Sequence, residues 1–342
     1  MARLDRLRVR GLRNLEAVDL DLGSGLVWLQ GGNGAGKTSV LEAVYLLSRG
    51  TTFRGRRFGP LTTRGQPGTR LDGWMRGGDR AWQRSWRLDA GGREIAGDGF
   101  EVRLVGSSMQ SLIEGEPDLR RRFVDWNLFH VEPRFEDVRS RFRRVAAQRA
   151  AWLRAGGQGA AVWDRPYLEG LTEVAAMRSA FSDSLATEFA SVAGELDATA
   201  GLELQFKDGL PIAGSAAEQL ERQRVSDIAR GYTFLSPARA DFGFRRGDTE
   251  WRGSRGENKV AAILLQVAAE RVVARRLGRR AVWLVDDLAA ELDTAMERRT
   301  LELILDGADQ VLAASLGSPP EWVAARQPVA RFHVEHGSVS MA

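Results

Sequence analysis

Gly31-Gly32-Asn33-Gly34-Ala35-Gly36-Lys37-Thr38 follows the apolar run Leu26-Val27-Trp28-Leu29 and leads into a helical pattern from Lys37 to Ser48. The octet fits G-x-x-x-x-G-K-[ST], a loop that wraps phosphates between a strand and a helix. Glycines are required because backbone N–H groups converge on the β-phosphate, where a side chain would collide. The helix that the loop opens offers its free amides and positive dipole end to the same anion. Lys37 adds a point charge between the β- and γ-phosphates, and the Thr38 hydroxyl a ligand for Mg²⁺. These eight residues predict binding of ATP with Mg²⁺.

Downstream, Ala281-Val282-Trp283-Leu284-Val285 has the composition of a buried strand and ends in Asp286-Asp287, the Walker B arrangement. Asp286 is expected to hold Mg²⁺ through water, and Asp287 to polarise the attacking water as the catalytic base. Ala290-Glu291-Leu292-Asp293 follows at the spacing of the D-loop in ABC-type ATPases. Ser254-Arg255-Gly256-Glu257-Asn258-Lys259 precedes the helix that leads to Walker B. ABC-type ATPases carry a Ser-x-Gly-Gln segment there, whose hydroxyl and amides meet the γ-phosphate of a second subunit. An ordinary N-cap serine is the other reading of Ser254. Gln110 falls at the Q-loop position, where an amide joins the Mg²⁺ shell.

Around these motifs the chain reads as α/β sequence interrupted by helices. Leu15-Glu16-Ala17-Val18-Asp19-Leu20-Asp21-Leu22 alternates as a strand does, and Gly-Gly and Gly-Asp turns between Trp74 and Ile95 predict a small antiparallel sheet. Pro117 and Asp118 open a helix. Apolar residues then recur at three- and four-residue steps from Phe135 to Trp152 and again from Leu171 to Leu196. Two such stripes across Gly156-Gly157 predict an antiparallel helical hairpin with an apolar core. The expected architecture is a P-loop ABC-type ATPase head formed by residues 1–110 and 231–342, with a helical lobe at 111–230.

The 342 residues are 43% hydrophobic and 27% charged, as in ordinary globular chains. No apolar stretch is long enough to span a membrane, and the N-terminus has no signal-peptide core, so a cytoplasmic location is expected. The absence of cysteine excludes disulfides, thiol nucleophiles and thiolate zinc sites. A net charge of +4 permits nucleic-acid binding without requiring it. Nearly all the cations are arginine, lysine standing only at Lys37, Lys207 and Lys259. Arg13, Arg54, Arg56, Arg57 and the series from Arg139 to Arg154 are candidate DNA contacts, a solvated helix face being the other reading for most of them.

With these motifs in order, the chain resembles the RecF family of ABC/SMC-like ATPases of bacterial recombinational repair. The resemblance runs through Gly11-Leu12-Arg13-Asn14, the P-loop and Leu41-Glu42-Ala43-Val44-Tyr45-Leu46-Leu47-Ser48. It continues in Gly115-Glu116-Pro117, Arg120-Arg121-Arg122-Phe123-Val124-Asp125, Trp163-Asp164, Pro237-Ala238-Arg239-Ala240-Asp241, the Ser254 segment and Asp286-Asp287. The family implies ATP-dependent homodimerisation, DNA binding at gaps or single/double-strand junctions, and RecO- and RecR-like partners. It also implies recombinase loading and a role in the SOS response. The chain departs from the family at Glu257, where glutamine is usual, at Gly253 and Ala238, and at Ala313-Ala314-Ser315, where a threonine or histidine usually senses the γ-phosphate. Slow hydrolysis is the expectation from these departures.

Two other classes compete. A transporter's nucleotide-binding subunit would carry a switch histidine after Walker B, and the three histidines, His130, His333 and His336, stand elsewhere. A small metabolite kinase would not need the Ser254 segment.

Overall fold

The structure is a computed structural model that describes residues 2–23, 25–54, 61–106, 109–159, 161–211, 215–290 and 292–342. Arg56, Arg57 and Glu291 lie outside the described residues. The N-terminal part contains β1 (Ala2–Leu12), β2 (Leu15–Asp21), β3 (Gly25–Gln30), α1 (Lys37–Arg49), β4 (Thr69–Gly77), β5 (Arg80–Asp89), β6 (Gly92–Ala96) and β7 (Val102–Val105). The middle contains α2 (Ser111–Glu114), α3 (Pro117–Val131), α4 (Arg134–Arg154), α5 (Asp164–Ala193), β8 (Leu202–Lys207), α6 (Ala216–Arg230), β9 (Asp241–Arg246), β10 (Thr249–Glu250) and α7 (Arg255–Leu277). The C-terminal part adds β11 (Val282–Asp286), α8 (Thr294–Gly307), β12 (Gln310–Ser315), α9 (Glu321–Arg326), β13 (Val329–Glu335) and β14 (Ser338–Met341).

Two compact units result, Met1–Met109 with Leu277–Ala342, and Gln110–Arg276. In the first, a six-stranded sheet has the order β14-β13-β3-β12-β11-β7, in which only β14 is antiparallel. Its central strands are apolar along their length, as strands covered on both faces must be. A five-stranded antiparallel sheet, β2-β1-β4-β5-β6, shares its apolar face with the same core. Helix α1 joins the two sheets through Val40, Leu41, Ala43, Val44, Leu46 and Leu47, all buried. Burial of a Leu or Val side chain contributes roughly 1.5–3 kcal/mol. The helix ends where Gly50 takes the left-handed conformation (φ 67°) and donates its N–H to Leu46 O.

In the second unit α4 and α5 run antiparallel. The rings of Phe142 and Tyr167 lie 5.1 Å apart, and Arg141–Glu173 and Arg149–Asp164 pair at 2.7 and 2.9 Å. The second unit extends beyond residue 230, where the sequence placed the end of the helical lobe. The cause is non-local: β8 pairs with β9 from Leu202↔Arg246 to Lys207↔Asp241, which fastens residues 241–246 to the helices. Several arginines serve this unit as ion pairs. Arg120 grips Asp241 with two hydrogen bonds of 2.7 and 3.0 Å, and Arg178 grips Asp125 at 2.7 and 2.9 Å. Arg139, Arg141, Arg143 and Arg149 also face carboxylates, so much of the α4 series is an ion-paired helix face.

Arg149 and Asp227 are both fully buried and lie 3.6 Å apart, with Asp164 as the second partner of Arg149. Breaking one side of a buried pair strands the other charge, at a cost of about 3–5 kcal/mol. Arg149→Met is expected to lower stability by about that amount in urea titration, whereas Arg165→Ala, in the exposed Arg165–Glu169 pair, is expected to leave the urea midpoint nearly unchanged. Equal losses for the two variants would contradict the assignment.

Candidate functional site

Parallel strands bring their carboxyl ends to one edge of the six-stranded sheet, where open α/β sheets hold ligands. Gln30 at the end of β3 is in register with Ser315 of β12, and Ala314 with Asp286 of β11. The octet leaves β3 at this edge and enters α1. Its helix begins at Gly36 with no side-chain cap and no acidic residue in the first turn. The first turn of α1 itself therefore carries no carboxylate, and its dipole end faces the loop.

The loop is held from both ends of the chain. Arg13-Asn14 is a two-residue hairpin turn between β1 and β2, with Arg13 in the left-handed region at φ 55°. Asn14 Nδ2 donates to Gly34 O and Ala35 O at 3.2 and 3.0 Å, and its Oδ1 accepts from Ser39 Oγ at 3.0 Å. From the C-terminal side, Gly337 in the β13–β14 turn donates its N–H to Ala35 O at 2.8 Å. A β-carbon at Gly337 would sit 2.0 Å from Asn14 O, and one at Gly31 would sit 2.1 Å from Val334 O. Both positions require glycine because backbone passes where a side chain would begin.

Lys37 Nζ donates to Gly31 O at 2.7 Å and Gly32 O at 2.8 Å, which aims the ammonium along the loop. Thr38 Oγ1 donates to Asp286 Oδ1 at 3.0 Å, joining residues at opposite ends of the sequence. Asp287 follows with φ 52°, exposed to solvent, its N–H bonded to Ala314 O at 3.1 Å. A non-glycine residue in that region is uncommon, though aspartate tolerates it better than most, and such backbone clusters at functional sites. The cleft so formed has a volume of about 560 Å³ and is lined by the loop, Asp286, Asp287, Ser315, Leu316, Arg13, Asn14 and Arg54.

Burial pushes the Asp286 carboxyl above the usual carboxylate range. The Thr38 hydrogen bond opposes this, the neighbouring Asp287 reinforces it, and Arg54 and Lys37 oppose it more weakly. A cation bound between Thr38 and Asp286 would relieve the strain of keeping that carboxylate ionised. The donor set fits a hard divalent cation, which takes one or two protein oxygens together with phosphate oxygens and water.

The structure thus brings Asn33 to Thr38, Asp286 and Asp287 together around one cleft. Gln110 and Ser254 to Gly256 belong to the second unit. Ser254 caps α7 in a reciprocal box: its N–H donates to Glu257 Oε2 at 2.8 Å, and Glu257 N–H donates to Ser254 Oγ at 3.4 Å. The signal for this was the spacing Ser-x-x-Glu. Arg13 and Arg54, candidates for DNA from sequence, line the nucleotide-sized cleft. Arg13 makes a two-bond fork with buried Glu42 of α1 at 2.9 and 3.0 Å. Arg54 lies 3.9 Å from the same carboxylate, which also accepts from Thr52 Oγ1.

A parallel sheet with this loop and paired acids at its carboxyl edge, joined through one helix to an antiparallel sheet, defines an ABC-type ATPase head. No family model matches the chain. The DNA replication and repair protein RecF of Yersinia enterocolitica is 32% identical over 355 residues, covering 99% of this chain and 98% of its own. The protein of that name from Pseudomonas fluorescens is 32% identical over 358 residues, with 98% of each chain covered. A solved structure of the recombination mediator protein RecF with ATP in the RecFOR pathway matches with a TM-score of 0.83 at 19% identity, over 100% of this chain and 98% of its own. An Smc head domain from Pyrococcus furiosus matches with a TM-score of 0.60 at 14% identity, over 100% and 96%. The chain belongs to the RecF family of DNA replication and repair proteins.

The upward shift of the Asp286 carboxyl makes stability depend on pH in a defined direction. A carboxyl harder to ionise in the folded state than in the unfolded one costs stability at neutral pH, and that cost is regained as pH falls. Asp286→Asn keeps the acceptor for Thr38 and removes the charge. It is expected to raise the Tm of the nucleotide-free protein near pH 7, with a gain that shrinks as pH is lowered, while losing the extra Tm conferred by Mg-ATP. A variant no more stable than the parent, yet still stabilised by Mg-ATP, would contradict the role given to Asp286.

Proposed function

We infer that this chain is an ATP-dependent DNA-binding protein of replication and recombinational repair. The observation that carries the reading is the cleft in which the uncapped N-terminus of α1, Lys37, Thr38 and Asp286 converge. Family membership supplies the process. The relatives described above are repair proteins, which favours this reading over a transporter subunit.

Gly31 to Thr38 hold the triphosphate, the loop amides and Lys37 meeting its charge at a helix N-terminus. Thr38 and Asp286 hold Mg²⁺, and Gln110 keeps the Q-loop role toward that ion which the resemblance implies. Asp287 orients and polarises the attacking water. Bound Mg²⁺ would supply neutralisation of charge on the β- and γ-phosphates. Ser254, Arg255 and Gly256 belong to the γ-phosphate of a second copy, so ATP is shared across a homodimer. That dimer clamps double-stranded DNA at gaps or single/double-strand junctions and works with RecO- and RecR-like partners in recombinase loading and SOS induction. The cytoplasm is the compartment in which such a protein acts. Turnover is slow, because the base is a short aspartate and the usual sensor position offers only Ser315, which ends β12 beside the cleft. Loss of one positioned group slows chemistry by about 10²-fold or more.

Lys37→Met is expected to weaken ATP binding at least about tenfold while the protein stays folded, since the charge it removes serves phosphates rather than the core. Unchanged ATP retention in a filter assay would remove Lys37 from the site. Affinity for double-stranded DNA is expected to rise with Mg-ATP and to fall steeply with salt, because phosphate contacts release counterions. Anisotropy titrations test this; equal affinity with and without nucleotide, or a flat salt dependence, would overturn the DNA-clamp reading.

A further inference from the structure

Two helix N-termini of this molecule are built in opposite ways. That of α1 has neither a capping side chain nor an acidic first turn, whereas α7 carries Glu257 in its first turn, tied back onto Ser254. We propose that Glu257 is a resident anion that competes with the γ-phosphate offered by a second copy, and so sets how readily ATP closes the dimer. The inference rests on the shared-site reading of Ser254 and goes beyond it by assigning a regulator within this chain.

The competition follows from geometry. Ser254 N–H, a donor in the segment that would meet the phosphate, is engaged by Glu257 Oε2 at 2.8 Å. The hydroxyl of Ser254 accepts from Glu257 N–H at 3.4 Å. An incoming phosphate therefore meets a carboxylate that is only half-buried and already seated on the cap. The two Ser254 contacts hold that carboxyl below the usual range, so it is ionised at neutral pH. A helix N-terminus favours one anion, and a second within a few ångströms is repelled. Glutamine serves equally well in the reciprocal cap, accepting the same N–H without the charge.

The test is sedimentation velocity of the full chain with Mg²⁺ and a non-hydrolysable ATP analogue, comparing the parent, E257Q and E257A. At about 50 mM NaCl, E257Q is expected to dimerise about tenfold more tightly than the parent. The gap should narrow at about 500 mM NaCl, where the Debye length falls to a few ångströms. E257A should also tighten the dimer, with a lower Tm because the cap is lost. Parent and E257Q dimers of equal strength at both salts, or a weaker E257Q dimer, would overturn the inference. So would tightening by E257A alone, because loss of the cap rather than of the charge would then be responsible. A parent dimer that is abolished by Ser254→Arg but indifferent to E257Q would overturn this inference and leave the shared site standing. No nucleotide-dependent dimer in any variant would overturn both.

Discussion

The hydrogen bond from Thr38 Oγ1 to Asp286 Oδ1 ties the two ends of the chain into one site. It forms because β3 and β11 are parallel and separated by β12, so the loop after one and the acid ending the other reach the same edge. The remainder of the first unit keeps that edge fixed. Helix α1 is packed through its apolar residues against both sheets, and it enters the cleft by its N-terminus, the end whose amides lack partners inside a helix. The β1–β2 and β13–β14 turns close on the loop through Asn14 and Gly337. Backbone from three distant segments thus shapes a cradle toward which Lys37 and the partly buried Asp286 converge.

Charge is distributed with the same economy elsewhere. In the second unit, Arg120, Arg149 and Arg178 are committed to Asp241, Asp164 with Asp227, and Asp125. The guanidinium fork suits such pairs, since it satisfies a carboxylate with two parallel bonds. Arginine abundance in this chain is therefore partly structural. Glu42, fully buried on α1, extends the pattern to the cleft, where it positions Arg13 beside the phosphate loop. The neighbouring Arg54 completes a basic rim to the cleft.

Much of the cleft was legible in the sequence because its determinants are local. The octet spells out a strand, a loop and a helix start within a dozen residues, and Val282 to Asp287 spells out a buried strand with acids at its end. Asn14 and Gly337 were not legible as loop braces, since nothing in a two-residue turn states which distant segment it will touch. Arg13 and Arg54 read as candidate DNA contacts rather than as cleft lining for the same reason. The extent of the second unit was hidden in the β8–β9 pairing, a contact between residues 202–207 and 241–246 that no periodicity announces. Ser254 was legible as an N-cap serine, and the Ser-x-x-Glu spacing adds Glu257 as the reciprocal half of that cap.

The account's central claim is that one ATP is held jointly by the Lys37 loop of one copy and the Ser254 segment of another. Mixing Lys37→Met protein with Ser254→Arg protein tests it directly. The heterodimer would contain one ruined site, carrying both substitutions, and one intact site, with Lys37 from the Ser254→Arg copy and Ser254 from the Lys37→Met copy. Measured by sedimentation with Mg-ATP and double-stranded DNA, the mixture is predicted to form a dimer that neither variant forms alone. A mixture that stays as monomeric as its two components would contradict the shared site.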